Sequence, residues 1–413
     1  MNRVVVTGLG VVSPVGNEVS TFWQSLIAGK CGIGPITAFD TTEYKVKIAA
    51  EVKDFDPLQY MEKGEARKQD RYSQFAVAAA SQAMEDSGLR SGENIDSFRL
   101  GVYIGTGTGG MHSFLTESEK LLEKGPSRTS PFFIPMMIGN MATGNVALKF
   151  HAQGPSMAIM TACATSTNAI GEAYRAIQHG YADAMIAGGT EATIVSLAVS
   201  GFTNCMALTQ NPDPTCASVP FDKRRNGFVM GEGAGVVILE EYEHAMARGA
   251  HIYAEVCGYG NTNDAHHMTA PDPEALGSSR AIQLAIEEAG ITAEDEIYIN
   301  AHGTSTPLND KTETKAIKLA LGEETARKAH ISSTKSMTGH TLGAAGGIEA
   351  IATVLALKNG IIPPTIGYQE ADPDCDLDYT PNQAVQANVN LGISTSLGFG
   401  GHNGCLAFRK FEQ

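Results

Sequence analysis

One cysteine stands where a thiol could act as a nucleophile. Cys163 lies in Thr161-Ala162-Cys163-Ala164-Thr165-Ser166-Thr167-Asn168, among small and hydroxylated residues. Directly after it Ile170, Ala173, Tyr174 and Ile177 recur at helical spacing and Gly180 supplies a stop. That pattern predicts a helix with Cys163 at or just before its first turn. Unpaired N–H groups and the dipole at a helix start favour negative charge, and such positions can lower a thiol from its usual pKa of about 8.5. The competing reading is a small core residue, because free cysteine is among the most buried residue types. A second reactive residue, His340, precedes another small-residue helix, which Gly360 stops.

The elements that must position these residues alternate between strand and helix. Arg3–Val12, Leu100–Gly105, Ala182–Gly188 and Gly233–Glu240 read as strands of the first half, the first two as runs buried on both faces. Helices are expected at 20–27, 65–87 (closed by Gly88) and 111–124, with an extended excursion over the three prolines of 125–135 and a loop at 211–225. The pattern then restarts: strand 254–260, helix 278–289, strand 296–300, helix 311–321, a turn over 333–340, and a helix at 344–358. Ala344, Ile348, Ile351 and Leu355 line one face of that last helix. Strand 391–397, the turn 398–404 and strand 405–411 finish the chain. A strand followed by a Gly/Thr turn occurs in each half, at Tyr103–Gly107 and Tyr298–Thr304. This long-period duplication predicts two similar α/β units, with mostly parallel sheets covered by helices, whose equivalent helix starts face each other across a pseudo-dyad. Such packing would bring Cys163 and His340 together.

Composition narrows the function class. The 413 residues are 43% hydrophobic and 18% charged, as in a globular protein of more than one unit. A net charge of −15 argues against nonspecific binding to nucleic acid or anionic membranes. The seven scattered cysteines show no zinc-like spacing and read as reduced thiols. With no signal-peptide pattern and no apolar run of membrane-spanning length, a soluble cytoplasmic protein is expected. Gly105-x-Gly107-x-x-Gly110 matches a dinucleotide fingerprint, but no acidic strand end follows about 20 residues on, so it carries no weight.

Several long stretches resemble the β-ketoacyl-acyl-carrier-protein synthases, in particular the type II condensing enzymes. They are VVVTGLGVVSPVGN at the start, GPSMAIMTACATSTNAIGEA around Cys163, NAHGTSTPLND around His302, STKSMTGHTLGAAGGIEA around Lys335 and His340, and STSLGFGGHN near the end. The resemblance implies a thiolase-like five-layered αβαβα fold of two duplicated halves, 1–250 carrying the cysteine and 251–413 carrying the histidines and lysine, in a homodimer. It implies fatty-acid chain elongation: an acyl group held as a thioester on Cys163 condenses with a malonyl carrier, releasing CO₂. In that scheme His302 and His340 assist decarboxylation, Lys335 is the active-site lysine, expected to pair with Glu349, and the N–H groups of Cys163 and Phe399 form the oxyanion hole. Thr108, Phe202, Phe228 and Phe399 correspond to the acyl pocket and its gate, Thr304, Thr306 and Thr269 to the phosphopantetheine contacts. Ala270 stands where a second hydroxyl is expected. Lys63, Arg67, Lys68 and Arg128 match the docking region for an acidic acyl carrier protein. No cofactor or catalytic metal is required, although related enzymes hold a structural monovalent cation. A thiolase would carry a second catalytic cysteine where this chain has GFGGHN, and a non-catalytic chain-length factor would lack Cys163.

Overall fold

A computed structural model describes residues 1–412. Ten strands form one continuous sheet whose order exposes the duplication. The first half supplies β1 (Val4–Val12), β2 (Leu100–Gly105), β3 (Ser156–Met157), β4 (Ala184–Glu191) and β5 (Gly233–Glu241). The second supplies β6 (Ala254–Asn263), β7 (Ile297–Asn300), β8 (His330–Ser332), β9 (Leu391–Gly398) and β10 (His402–Lys410). The first five run β1-β5-β4-β2-β3 and the second five β6-β10-β9-β7-β8, with parallel and antiparallel neighbours in the same places. The two sets join only where β1 meets β6, from Val4 opposite Val256 to Val6 opposite Ala254.

Helices lie on both outer faces and between the two five-stranded halves of the sheet, which makes five layers. In the first half α1 (Arg71–Ser87) and α2 (Met141–Phe150) pack together on one outer face, and α3 (Thr165–Gln178) is central. In the second half α4 (Leu276–Ala289) and α5 (Pro307–Leu321) cover the opposite face, and α6 (Ala345–Asn359) is central beside α3. Each layer has its own apolar core, the central one combining Ile170, Tyr174 and Ile177 of α3 with Ile348, Ile351 and Leu355 of α6. Close crossing of the central helices depends on glycine. A Cβ on Gly346 would lie 2.1 Å from Thr167 Oγ1, and one on Gly347 2.3 Å from the Gly235 carbonyl oxygen. Gly346→Ala is therefore expected to cost about 1–3 kcal/mol by overpacking, read as a lower midpoint in denaturant unfolding.

Several expectations change. The helix expected over 65–87 is two, Lys63–Ala66 and α1, because the Asp70 carboxylate caps α1 at Tyr72 N and also accepts from Ser113 N at 2.7 Å. The 125–135 segment holds a 3₁₀ turn, Pro126–Arg128, and the start of helix Phe133–Met137. The strand expected over 182–188 is shifted to β4, α5 begins early with Pro307 in its first turn, and residues 335–338 are helical. Residues 345–357 of α6 are buried on all sides because two sheets enclose it. Helices α2, Ser196–Asn204, Tyr242–Ala247 and Glu323–Lys328 had no clear sequence signal.

Candidate active site

Cys163 is the middle residue of a 3₁₀ turn, Ala162–Ala164, that runs directly into α3. Ala162, just before it, is held at φ +51°, a costly conformation for a residue with a Cβ. The turn after β9 packs against this helix start. A Cβ on Gly398 would lie 2.7 Å from the Thr161 carbonyl oxygen and 3.1 Å from the Cys163 nitrogen, so only glycine fits there. Gly400 and Gly401 continue the turn at φ +85° and +75°.

Burial pushes the Cys163 thiol up to about 12, against the pull of Lys335 and of the N–H groups of Phe399 and Cys163 itself. This corrects the expectation that a helix start would favour the thiolate: desolvation of a buried charge outweighs the helix start. The resting group is the thiol, and attack requires a base.

Both histidines are buried, with ring centroids 5.2 Å apart and planes nearly perpendicular. His302 follows β7, and its loop is fixed by the buried Glu313 of α5, which accepts from His302 N and Gly303 N, each at 2.7 Å. Lys335 Nζ lies 3.3 Å from His302 Nδ1 and bonds the Glu349 carboxylate of α6. Because an ammonium only donates, His302 Nδ1 accepts and Nε2 carries the proton. His340 stands edge-on to Phe228 at 5.1 Å, and neither of its ring nitrogens has a protein partner. Burial and the nearby Lys335 charge hold both imidazoles well below their ordinary pKa, hence neutral. Burial raises the Glu349 carboxyl to about 7, against the attraction of Lys335.

Neutral buried histidines make stability depend on pH with a definite sign. Below about pH 6.5 the unfolded chain takes up protons on both rings, whereas the folded protein does not. Their contribution is complete above pH 6.5 and falls as pH drops below it, by about 1.4 kcal/mol per pH unit per histidine. Denaturant unfolding of His302→Asn/His340→Asn should show a correspondingly shallower slope between about pH 6.5 and 5.5.

A cleft of about 350 Å³ joins these groups, lined by Cys163, His302 and His340 at its inner end. Thr304, Thr306 and Thr269 line it further out, with Thr304 Oγ1 and Thr306 Oγ1 2.9 Å apart. Phe228 and Phe399 line it too, and Phe202 packs against both rings, 5.7 and 6.2 Å away. Cys163 and Phe228 border an apolar cluster with Val46, Ile194, Val199, Leu208 and Leu342. Thr108 does not line the cleft: its hydroxyl is 2.7 Å from Glu191 Oε1 and 2.6 Å from Thr193 Oγ1. Lys63, Arg67, Lys68 and Arg128 are all exposed and none lines the cleft, although Lys68 Nζ lies over the Phe132 ring at 5.1 Å. Glu191 and Glu313, buried carboxylates that organise the loops around the site, were missed by sequence reasoning. Their only signal was an acidic residue among small or apolar neighbours, as in Gly188-Gly189-Thr190-Glu191-Ala192.

Known proteins are similar to this chain along most of its length. Residues 1–245 match the β-ketoacyl synthase N-terminal domain and 253–369 its C-terminal domain. A 3-oxoacyl-[acyl-carrier-protein] synthase 2 from Synechocystis sp. is 53% identical over 411 residues, 99% of this chain and 98% of that one. One of the same name from Staphylococcus aureus is 52% identical over 410 residues, 99% of each. Among solved structures, the ishigamide ketosynthase/chain length factor superposes with a TM-score of 0.93 at 38% identity, covering 100% of both chains. A type II polyketide ketosynthase solved with its acyl-carrier protein gives 0.90 at 38%, covering 99% of this chain and 100% of that one. With its duplicated five-layer fold and full-length matches, the chain belongs to the β-ketoacyl synthase family.

Proposed function

We propose that this protein elongates acyl chains by decarboxylative condensation of a Cys163-bound acyl group with a malonyl group on an acyl carrier protein. The observation that carries this reading is the convergence of Cys163, His302 and His340 on one cleft, with both imidazoles neutral. The thiol attacks the incoming acyl thioester as an imidazole takes its proton, and the carrier leaves as a thiol. The N–H groups of Cys163 and Phe399 hold the transient oxyanion. Malonyl decarboxylation then sends its electron pair into an enolate, whose oxygen accepts N–H bonds from His302 and His340. The enolate carbon attacks the acyl thioester, the C–S bond breaks with its electron pair on sulfur, and β-ketoacyl carrier leaves as the Cys163 thiolate takes a proton from solvent to restore the thiol. Thr304, Thr306 and Thr269 hold the pantetheine arm, and Phe399 with Phe202 and Phe228 gates the acyl pocket. Residues 1–250 supply the nucleophile and 251–413 the His/Lys set.

The test is intact-protein mass after mixing with an acyl carrier thioester, followed by a malonyl-carrier chase. An adduct that the chase discharges to a β-ketoacyl carrier is expected. A folded protein that takes up no acyl group of any length would sink the assignment.

Lys63, Arg67, Lys68 and Arg128 form the carrier-docking patch in this reading. Lys63→Glu/Lys68→Glu should raise KM for the acyl carrier at low salt by about tenfold while leaving kcat unchanged, and the difference should shrink as salt is added. The homodimer would form by pairing of β3, an exposed edge strand that carries exposed Met157 and is followed by exposed Met160. Among the described residues no cluster of His, Cys, Asp or Glu is arranged to hold a metal. The site for a structural monovalent cation, in this reading, would lie elsewhere. Asn300 and Ser394 are opposite each other in the β7–β9 ladder, and α6 packs against both strands. Asn300 Oδ1, Ser394 Oγ and Glu349 Oε2 are buried oxygens without hydrogen-bond partners, the donor chemistry a hard cation takes.

A further inference from the structure

The duplication places a second copy of the active-site backbone across the pseudo-dyad, and a side chain of the protein fills it. Cys163 is the middle residue of the 3₁₀ turn before α3, and Gly343 is the middle residue of the turn Leu342–Ala344 before α6. Ala162 and Leu342, which precede them, share the same unusual backbone, φ +51° and +49°. His302 lies two residues past the end of β7, and Gly107 two residues past the end of its counterpart β2. Gly398 ends β9, and Glu191 ends its counterpart β4. The thiol and the imidazole of the working site are thus replaced by two glycines, and the glycine that leaves its oxyanion hole open is replaced by a glutamate.

The Glu191 carboxylate occupies the space so created. It is fully buried, and Oε2 accepts from Gly343 N at 3.0 Å and Gly107 N at 2.8 Å, the counterparts of Cys163 N and His302 N. Oε1 lies 3.1, 2.7 and 2.8 Å from the hydroxyls of Thr106, Thr108 and Thr193, and because the last two are also bonded to each other at 2.6 Å, one of that pair donates to Oε1 and the other to its neighbour. Both glycines are required: a Cβ on Gly343 would lie 2.3 Å from Gly107 N and 2.7 Å from Glu191 Oε2, and one on Gly107 2.6 Å from the same oxygen. The Gly343 carbonyl in turn accepts from Ser166 Oγ, in the first turn of α3 just after Cys163. A continuous chain of hydrogen bonds therefore runs from Glu191 through Gly343 to the Cys163 helix, and Gly343 itself lies between His340 and Glu349.

We infer that Glu191 is a positioning residue: its carboxyl group plugs the degenerate, dyad-related counterpart of the active site, and so fixes the Cys163 helix start against the His340–Glu349 segment. Burial raises the Glu191 carboxyl above the usual carboxylate range, against the pull of its hydrogen bonds to Thr108, Thr193, Gly343 and Gly107, and removing it leaves these groups unpaired in a space shaped for a small carboxylic group. Glu191→Ala should therefore create a site for formate, which a residue serving only to fill volume would not do.

The experiment measures thermal midpoint and steady-state condensation for wild type and Glu191→Ala, in sodium formate and in sodium chloride of equal ionic strength. In chloride the variant should lose about 100-fold in kcat, as expected for a misplaced catalytic group, with KM for the acyl carrier little changed. Formate should saturably raise its midpoint and restore about tenfold of kcat, with no effect on wild type. Equal midpoints in formate and chloride, or wild-type kcat in chloride, would overturn the inference. The kcat arm rests on the condensing activity proposed above. The midpoint arm does not, so a protein without that activity would still show formate-specific stabilisation. If Glu191→Ala does not fold, Glu191→Gln decides. It preserves shape but replaces one acceptor oxygen by a donor facing N–H or O–H groups, and is expected to lower kcat about tenfold at unchanged KM; an unchanged kcat refutes the positioning role.

Discussion

Cys163→Ala is expected to carry no acyl adduct and to lose condensation by at least about 10⁴-fold, while still releasing CO₂ from malonyl carrier at a measurable rate. The split follows from the geometry. The thiol forms the covalent intermediate, but the groups that stabilise an enolate are His302 and His340, with Lys335 beside His302, and none of these is changed. Intact mass and CO₂ release, measured on the same preparation, check both halves. Loss of decarboxylation together with acylation would mean that the acyl-enzyme, rather than the resting cleft, assembles the histidine pair. An adduct persisting on the variant would remove Cys163 as the nucleophile. The thiol's elevated pKa adds a condition: alkylation of wild-type Cys163 by iodoacetamide should remain slow at neutral pH, because burial disfavours the thiolate.

Lys335→Ala is the second large effect, and it acts on stability and catalysis together. The side chain is 1% exposed, and its ammonium serves both the Glu349 carboxylate and His302 Nδ1. Removing it leaves a buried carboxyl without its partner, expected to cost about 3–5 kcal/mol. It also frees His302 to carry its proton on Nδ1, which takes the Nε2–H donor out of the cleft; loss of one such donor typically costs about 10²–10³ in kcat. Lys335→Met/Glu349→Gln separates the two effects. With no charge left in the pair, stability should return to within about 1–2 kcal/mol of wild type, and kcat should not return. Denaturant unfolding and malonyl-carrier decarboxylation give the two readouts. Recovery of both would reduce Lys335 to a structural counter-ion of Glu349.

Much of this architecture was legible in the chain. Strand 100–105 and helix 111–124 fall where the Val/Ile run and the flanking glycines put them, because buried strands and glycine stops are local signals. The duplication was legible from the order of strands, turns and small-residue helices, as was the position of Cys163 at a helix start. Other features depend on residues distant in sequence. The helix expected over 65–87 breaks at Asp70, whose carboxylate also binds the backbone of Ser113. The one-faced pattern read for the helix before Gly360 does not describe α6, since enclosure between two sheets requires apolar or small residues all round.

The site divides in the same way. Residue types and their order singled out a thiol and a histidine, Cys163 and His340, each ahead of a small-residue helix, and the family resemblance added His302 and Lys335. Only the tertiary structure decided their states. The thiol is neutral and the imidazoles unprotonated because burial removes the water that would solvate a charge, and burial is a property of the packed whole. The same holds for Glu191, an ordinary acidic residue in the chain, which becomes a buried hydrogen-bonding centre only where N–H and O–H groups from distant segments are folded around it.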